Sequence, residues 1–175
     1  MENIEIKARV GNLDVIRERV LKMKHEFLGY DYQVDTYFKT KSGRMKLRES
    51  SLSGAYVILY LRNDLSGPKS SIYQTLVVEN AQGVKNLLSQ LLGIHTVVKK
   101  EREIYIYENV RIHLDRVKNL GTFLEFEAVL NDEYHDRTAE KKKVHQLMET
   151  LGITEKNLIS SSYEKLIKNI KENHK

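Results

Sequence analysis

After Met1 and Glu2 the chain alternates strictly. In NIEIKARV, Asn3, Glu5, Lys7 and Arg9 fall on one side of an extended strand, and Ile4, Ile6, Ala8 and Val10 on the other, because successive strand side chains point to opposite faces. The period then changes. Asn12 is a good helix N-cap, and Leu13, Ile16, Val20 and Met23 follow at helical spacing. From about Phe27 to Glu79 the pattern returns to strands: YDYQVDTYFKT, RMKLRES, AYVILYLRN and SIYQTLVVE, separated by SGR, SGA and a turn around Pro68. Val84, Leu87, Leu88 and Leu91 predict a second helix, ended by Gly93. Strands VVKKEREIYIYE, VRIHLDRV and TFLEFEAVL come next. A third helix carries Val144, Leu147, Met148 and Leu151 and stops near Gly152, and SSYEKLIKNIKENHK forms a last helix. This order of about eight strands, mostly a meander, with a few helices predicts a mainly β, α+β fold. It is an eight-stranded antiparallel closed barrel with helices packed outside.

The polar faces are more informative than the apolar ones. Arg44, Lys46 and Arg48 share a face against Met45 and Leu47. Lys100 and Arg102 align. Arg111, His113 and Asp115 oppose Val110, Ile112 and Leu114, and Glu125 with Glu127 oppose Leu124, Phe126 and Ala128. One charged strand face is ordinarily a solvated face. Here the signs are segregated, bases on RMKLR and acids on FLEFE, whereas outward faces usually mix them. The helices also need an apolar sheet face to cover. If they cover the outside, the charges line the inside, a tunnel with a polar interior.

Composition narrows the reading. The 175 residues are 41% hydrophobic and 30% charged, enough for one domain with a sizeable core spanning 1–175. No apolar run reaches membrane-spanning length. There is no cysteine, hence no disulfide framework and no thiolate chemistry, and no secretory pattern opens the chain. Together these predict a cytoplasmic protein without a membrane partner. The net charge of +5 suits an anionic ligand, and nucleic acid is not required by it. The run Lys141–Lys143 reads as a solvated helix face rather than an RNA patch.

A tunnel lined by charge is costly unless a counter-ligand fills it. The candidate bases are Lys7, Arg9, Arg44, Lys46, Arg48, Arg62, Lys69, Lys100, Arg102 and Arg111, and the candidate acids are Glu5, Asp115, Glu125 and Glu127. Many bases facing a compact acid cluster suit a polyanion bridged by divalent metal. Bases hold phosphate oxygens, and carboxylates hold Mg²⁺ or Mn²⁺. That is the expectation for an organic triphosphate site. His113 shares the Asp115 face, where it could bond a phosphate or a metal-bound water. A lone histidine beside an aspartate is more often structural. Tyr105 and Tyr107 fall on the face opposite Lys100 and Arg102, which predicts packing. No P-loop, dinucleotide fingerprint or nucleophile elbow is present.

The stretches NIEIKARV, QVDTYFKTKSGRMKLRE, LRNDLSGPKSSIY, KKEREIY, VRIHLDRVKNLGTFLEFEAVL and SSSYEKLI, in this order, resemble the CYTH superfamily, the triphosphate tunnel metalloenzymes, and within it the class IV adenylyl cyclase-like branch. The resemblance implies an eight-stranded tunnel. It implies Glu5, Glu125 and Glu127 as metal ligands with Asp115 beside them, and Glu5, Glu125, Glu127 and Lys7 as the catalytic set. Lys7, Lys46, Arg48, Arg62, Lys69, Lys100 and Arg102 are implied to grip the triphosphate. The family's first strand reads E-x-E-x-K, and Asn3 departs from it, which weakens one metal position. The implied reaction is ATP to cyclic AMP and pyrophosphate. Two alternatives stay open. One is a triphosphatase acting on thiamine triphosphate, a nucleoside triphosphate or inorganic tripolyphosphate. The other is a polyphosphate- or nucleotide-binding module without turnover. A homodimer is also allowed.

Overall fold

The computed structural model describes residues 2–62 and 69–173. Eight strands alternate with helices in the order β1 (Glu2–Arg9), α1 (Leu13–Leu21), β2 (Glu26–Phe38), β3 (Arg44–Ser50), β4 (Gly54–Arg62), β5 (Lys69–Val78), α2 (Ala81–Leu92), β6 (Ile94–Tyr107), β7 (Val110–Val117) and β8 (Gly121–Leu130). Then follow α3 (Arg137–Leu151), a 3₁₀ turn at Glu155–Asn157, and α4 (Tyr163–Asn173). The strands close into one antiparallel barrel in the order β1-β5-β4-β3-β2-β6-β7-β8. Meander hairpins account for most pairings. The exceptions are β2 with β6, and β1, which sits between β5 and β8.

Most predicted elements stand. The Asn12 side chain accepts from the backbone N–H of Asp14 and caps α1. Gly152 takes the left-handed conformation (φ 69°) that ends α3. β2 begins at Glu26, earlier than the alternation from Tyr30 suggests. Its first half pairs with β6 alone, with a register break between Phe27 and Gly29 that Gly29 (φ 132°) permits. The turn at Glu155–Asn157 leaves no hydrophobic period and was not legible.

The apolar face of the sheet is its outer one. Ile4, Ile6, Ala8, Ile112, Leu114, Leu124 and Phe126 form a core with Leu13, Ile16 and Val20 of α1 and with Val144, Leu147, Met148 and Leu151 of α3. Tyr105 belongs to this core, as its face predicted. Helix α2 covers Phe38, Leu47 and Val57 with Val84 and Leu88. Leu87 and Leu91, expected on the same buried face, are 57% and 70% exposed, so only one edge of the predicted stripe is covered. With the outer faces under helices, the alternation forces the charged residues inward. Helix α4 lies across one end. Tyr163 and Ile167 pack against Tyr37, Val98, Val117, Leu120 and Phe123 there. Among the described residues no helix is long and apolar enough to cross a membrane.

Candidate active site

The barrel encloses a cavity of about 500 Å³ whose lining includes Glu5, Lys7, Lys46, Arg48, Lys100, Arg102, His113, Glu125 and Glu127. Its two walls differ in sign. On the β2–β3–β6 wall, Asp35 is 1% exposed and collects three bases. Lys46 Nζ reaches it at 2.8 Å, Arg48 grips both carboxylate oxygens at 2.7 Å, and Lys100 Nζ lies 3.5 Å away. The strand register sets this up, because Asp35 is directly across from Arg48 and one step from Lys46 on β3. Burial pushes the Asp35 carboxyl up, but Arg48, Lys46 and Lys100 outweigh it and hold it well below the ordinary range. The lysines respond the other way. Burial, with Arg48 next, lowers Lys46 to about 8. Burial and the neighbouring Arg102 lower Lys100 to about 7. One carboxylate therefore holds several cations that exceed it in charge, a surplus that an anionic ligand can neutralise.

The β1–β7–β8 wall carries the acids. Lys7 faces Glu125 across the β1–β8 ladder and donates to it. Arg102 donates from Nε and Nη2 to the two oxygens of Asp115, both at 2.6 Å, and from Nη2 to Glu125. Burial raises the Asp115 and Glu125 carboxyls. The cations outweigh it, chiefly Arg102 for Asp115 and Lys7 then Arg102 for Glu125, so both sit below the ordinary range. Glu127 is also lowered, by His113 and Arg102 against its burial. Glu5 is directly opposite Glu127 in the register. His113, Glu125 and Glu127 offer ligand atoms that all lie within 4.8 Å of one another. The His113 Nδ1 is buried and, among the described residues, makes no hydrogen bond. Hard carboxylate oxygens beside an orphaned imidazole nitrogen fit a divalent cation.

The two walls meet at α4. Tyr163 enters the barrel end, its hydroxyl donates to Asp115 Oδ2 at 2.8 Å, and its ring lies 3.7 Å beneath the Lys7 ammonium. Burial, then Asp115 and Glu125, push its hydroxyl well above the ordinary tyrosine range, so it stays a donor. The next residue, Glu164, pins the helix from outside through His95 (3.0 Å) and Arg44 (3.5 Å). Replacing Tyr163 with phenylalanine keeps the ring but leaves Asp115 short of a donor. We expect a loss of about 2 kcal/mol, or roughly 4–8 °C in Tm, read by thermal denaturation.

Most of the residues singled out in the sequence thus line one cavity. Arg111 lines it too, with Nη1 3.8 Å from Glu127. Arg9 instead lies at the α4 end, bonded to the Leu120 carbonyl at 2.7 Å and stacked on Phe123. Arg62 and Lys69 lie outside the residues whose side chains are described. In the basic run of α3, Lys143 is tied to Glu108 and Glu140 at 3.0 and 3.1 Å. Sequence reading missed Asp35, its inward neighbours Asp31 and Gln33, and Tyr163. The alternation in DYQVD carried the signal for the first three. For Tyr163 there was none, because one aromatic at a helix start looks like any other.

The CYTH domain profile matches residues 1–163 of the chain. The chain belongs to the CYTH family. A candidate adenylate cyclase of Methanocaldococcus jannaschii is 25% identical over 179 aligned positions, which cover 95% of this chain and 98% of that protein. Among solved structures, the PH1012 protein of Pyrococcus horikoshii matches with a TM-score of 0.83 and 26% identity, covering 94% of this chain and 98% of that one. A candidate adenylyl cyclase from Hippeastrum, described as having a dominant triphosphatase activity, shares the fold at a TM-score of 0.61 and 15% identity, covering 94% and 93%. The CYTH tunnel of this chain is therefore a cation-lined, acid-edged barrel built from all eight strands.

Proposed function

We propose that this CYTH protein is a divalent-metal-dependent enzyme that holds an organic triphosphate inside its tunnel, with ATP cyclisation to cyclic AMP and pyrophosphate as the favoured reaction. One observation carries the reading: a surplus of buried bases around Asp35 faces the cluster of Glu125, Glu127 and His113 across a single cavity. Lys46, Arg48 and Lys100 would take the triphosphate oxygens from Asp35, and Lys7 and Arg102 those nearer the acids. Glu5, Glu125 and Glu127 would hold Mg²⁺ or Mn²⁺, with Asp115 orienting Arg102. A cation bound there would withdraw charge from the phosphate and from the attacking oxygen. Bases on both sides of the cavity would fix the chain of phosphates for in-line attack. In cyclisation the ribose 3′-oxygen bonds to the α-phosphorus and pyrophosphate leaves. The full-length likeness to the archaeal candidate cyclase supports this choice.

Triphosphate hydrolysis is the second reading, favoured by the activity described for the Hippeastrum protein. The same groups would serve, with water attacking the γ-phosphorus. Incubation with ATP, thiamine triphosphate and tripolyphosphate, each with Mg²⁺ or Mn²⁺, separates the two. Cyclic AMP with pyrophosphate establishes the first, and orthophosphate with a diphosphate the second. Absence of any product would sink both.

Ligand binding should also draw in protons. Free Lys100 and Lys46 titrate at about 7 and about 8. A bound polyanion favours their charged forms and raises both values. Protons are then taken up above pH 7, and affinity falls as pH rises through 7 to 9. Calorimetry at pH 8 in buffers of different ionisation heat should register uptake of about one proton. Equal heats in both buffers would contradict this.

A further inference from the structure

We infer that His113 is a direct metal ligand, so that the tunnel carries a mixed nitrogen–oxygen site selecting Mn²⁺ and similar transition cations over Mg²⁺. The inference rests on the reading of this cavity as metal-dependent, and it concerns which cation and through which atoms. His113 sits on β7 with Glu125 beside it on β8 and Ile104 on β6. It is 3% exposed. Its Nδ1 lies 3.9 Å from Glu125 Oε2 and 3.9 Å from Glu127 Oε1. Both separations are too long for a hydrogen bond, and among the described residues the nitrogen has no other partner.

A buried nitrogen left unpaired between two carboxylates is costly. A cation between the three atoms would remove that cost, and the spacing admits one. Ligand bonds of about 2.1 Å place two ligands of one cation no more than about 4.2 Å apart, and 3.9 Å fits. Lys7 and Arg102 already engage Glu125, which leaves Glu127 and His113 as the less committed donors of the cluster. Mg²⁺ takes oxygen ligands almost exclusively, whereas imidazole nitrogen suits the transition series.

The test uses the intact protein with metal alone and no triphosphate. Mn²⁺ is added, and pulsed electron paramagnetic resonance looks for the nitrogen modulation of a directly bound imidazole. We expect that modulation, together with Mn²⁺ binding tighter than Mg²⁺ by on the order of tenfold. His113→Gln should lose most of the Mn²⁺ preference and leave Mg²⁺ binding little changed. Absence of nitrogen coupling in the wild-type protein would overturn the inference without any appeal to a variant. So would an unchanged Mn²⁺ to Mg²⁺ ratio in a folded His113→Gln protein. Triphosphate turnover without nitrogen coupling would overturn this site and leave the proposed activity standing. Nitrogen coupling without turnover would do the reverse.

Discussion

Replacing Asp35 with alanine should lower Tm by roughly 10 °C in the free protein, with much of the loss restored by tripolyphosphate. Asp35 is the carboxylate that Lys46, Arg48 and Lys100 all approach, and it is 1% exposed. Its removal leaves buried cations facing one another without a counter-charge. Breaking a buried pair in this way costs about 3–5 kcal/mol, and in a chain of this size each kcal/mol moves Tm by about 2–4 °C. The penalty should grow as pH falls. The lysines escape it by losing their protons, and without Asp35, whose charge raises both, they do so at lower pH than in the wild-type protein, where burial already lowers them to about 7 and about 8. Tripolyphosphate supplies the missing negative charge, so the variant should gain more from it than the wild-type protein does. Thermal denaturation at pH 6 and pH 9, with and without tripolyphosphate and without metal, checks each part. An unchanged Tm, or an anion effect no larger than in the wild type, would show that the bases do not depend on Asp35.

Glu127→Gln should separate binding from chemistry. The substitution keeps volume and removes one negative charge at the acid edge, where Glu127 lies opposite Glu5 and beside His113. Turnover should fall by about 10²-fold or more, the scale on which a group stabilising transition-state charge acts. Metal-free affinity for tripolyphosphate should hold or improve, because the tunnel becomes more positive. The comparison is kcat with metal against Kd without it. Parallel loss of both would assign Glu127 to anion binding or to folding instead.

The barrel was legible because its faces are written in a period of two. Ile4, Ile6 and Ala8 against Glu5 and Lys7, or Leu124 and Phe126 against Glu125 and Glu127, leave little choice once helices must cover one side. Segregation of bases and acids then placed most of the cavity. What stayed hidden depends on pairings between distant strands. Asp35 reads as an ordinary strand aspartate until β3 and β6 bring Arg48 and Lys100 to it. Tyr163 reads as one more apolar position of α4, although the fold turns it towards Lys7 and Asp115. Leu87 and Leu91 err in the opposite direction, since a helical stripe fixes which residues share a face and says nothing of how wide a face the neighbouring sheet will cover.

The position of β1 bears on the order in which the molecule can assemble. It pairs with β5 and β8 and with no strand adjacent to it in sequence, and the Lys7 carbonyl accepts from Ile159 beyond α3. Residues 2–9 therefore have no ladder partner until β5 (Lys69–Val78) has been made, and gain their second only with β8 (Gly121–Leu130). Contacts this remote in sequence make for slow folding. Closing also brings Lys7 to Glu125 and Glu5 to Glu127, so an unclosed barrel lacks these acid-edge contacts and leaves the edges of β5 and β8 open to wrong partners. A polyanion present during refolding should then hasten closure, acting as a template around which the tunnel seals.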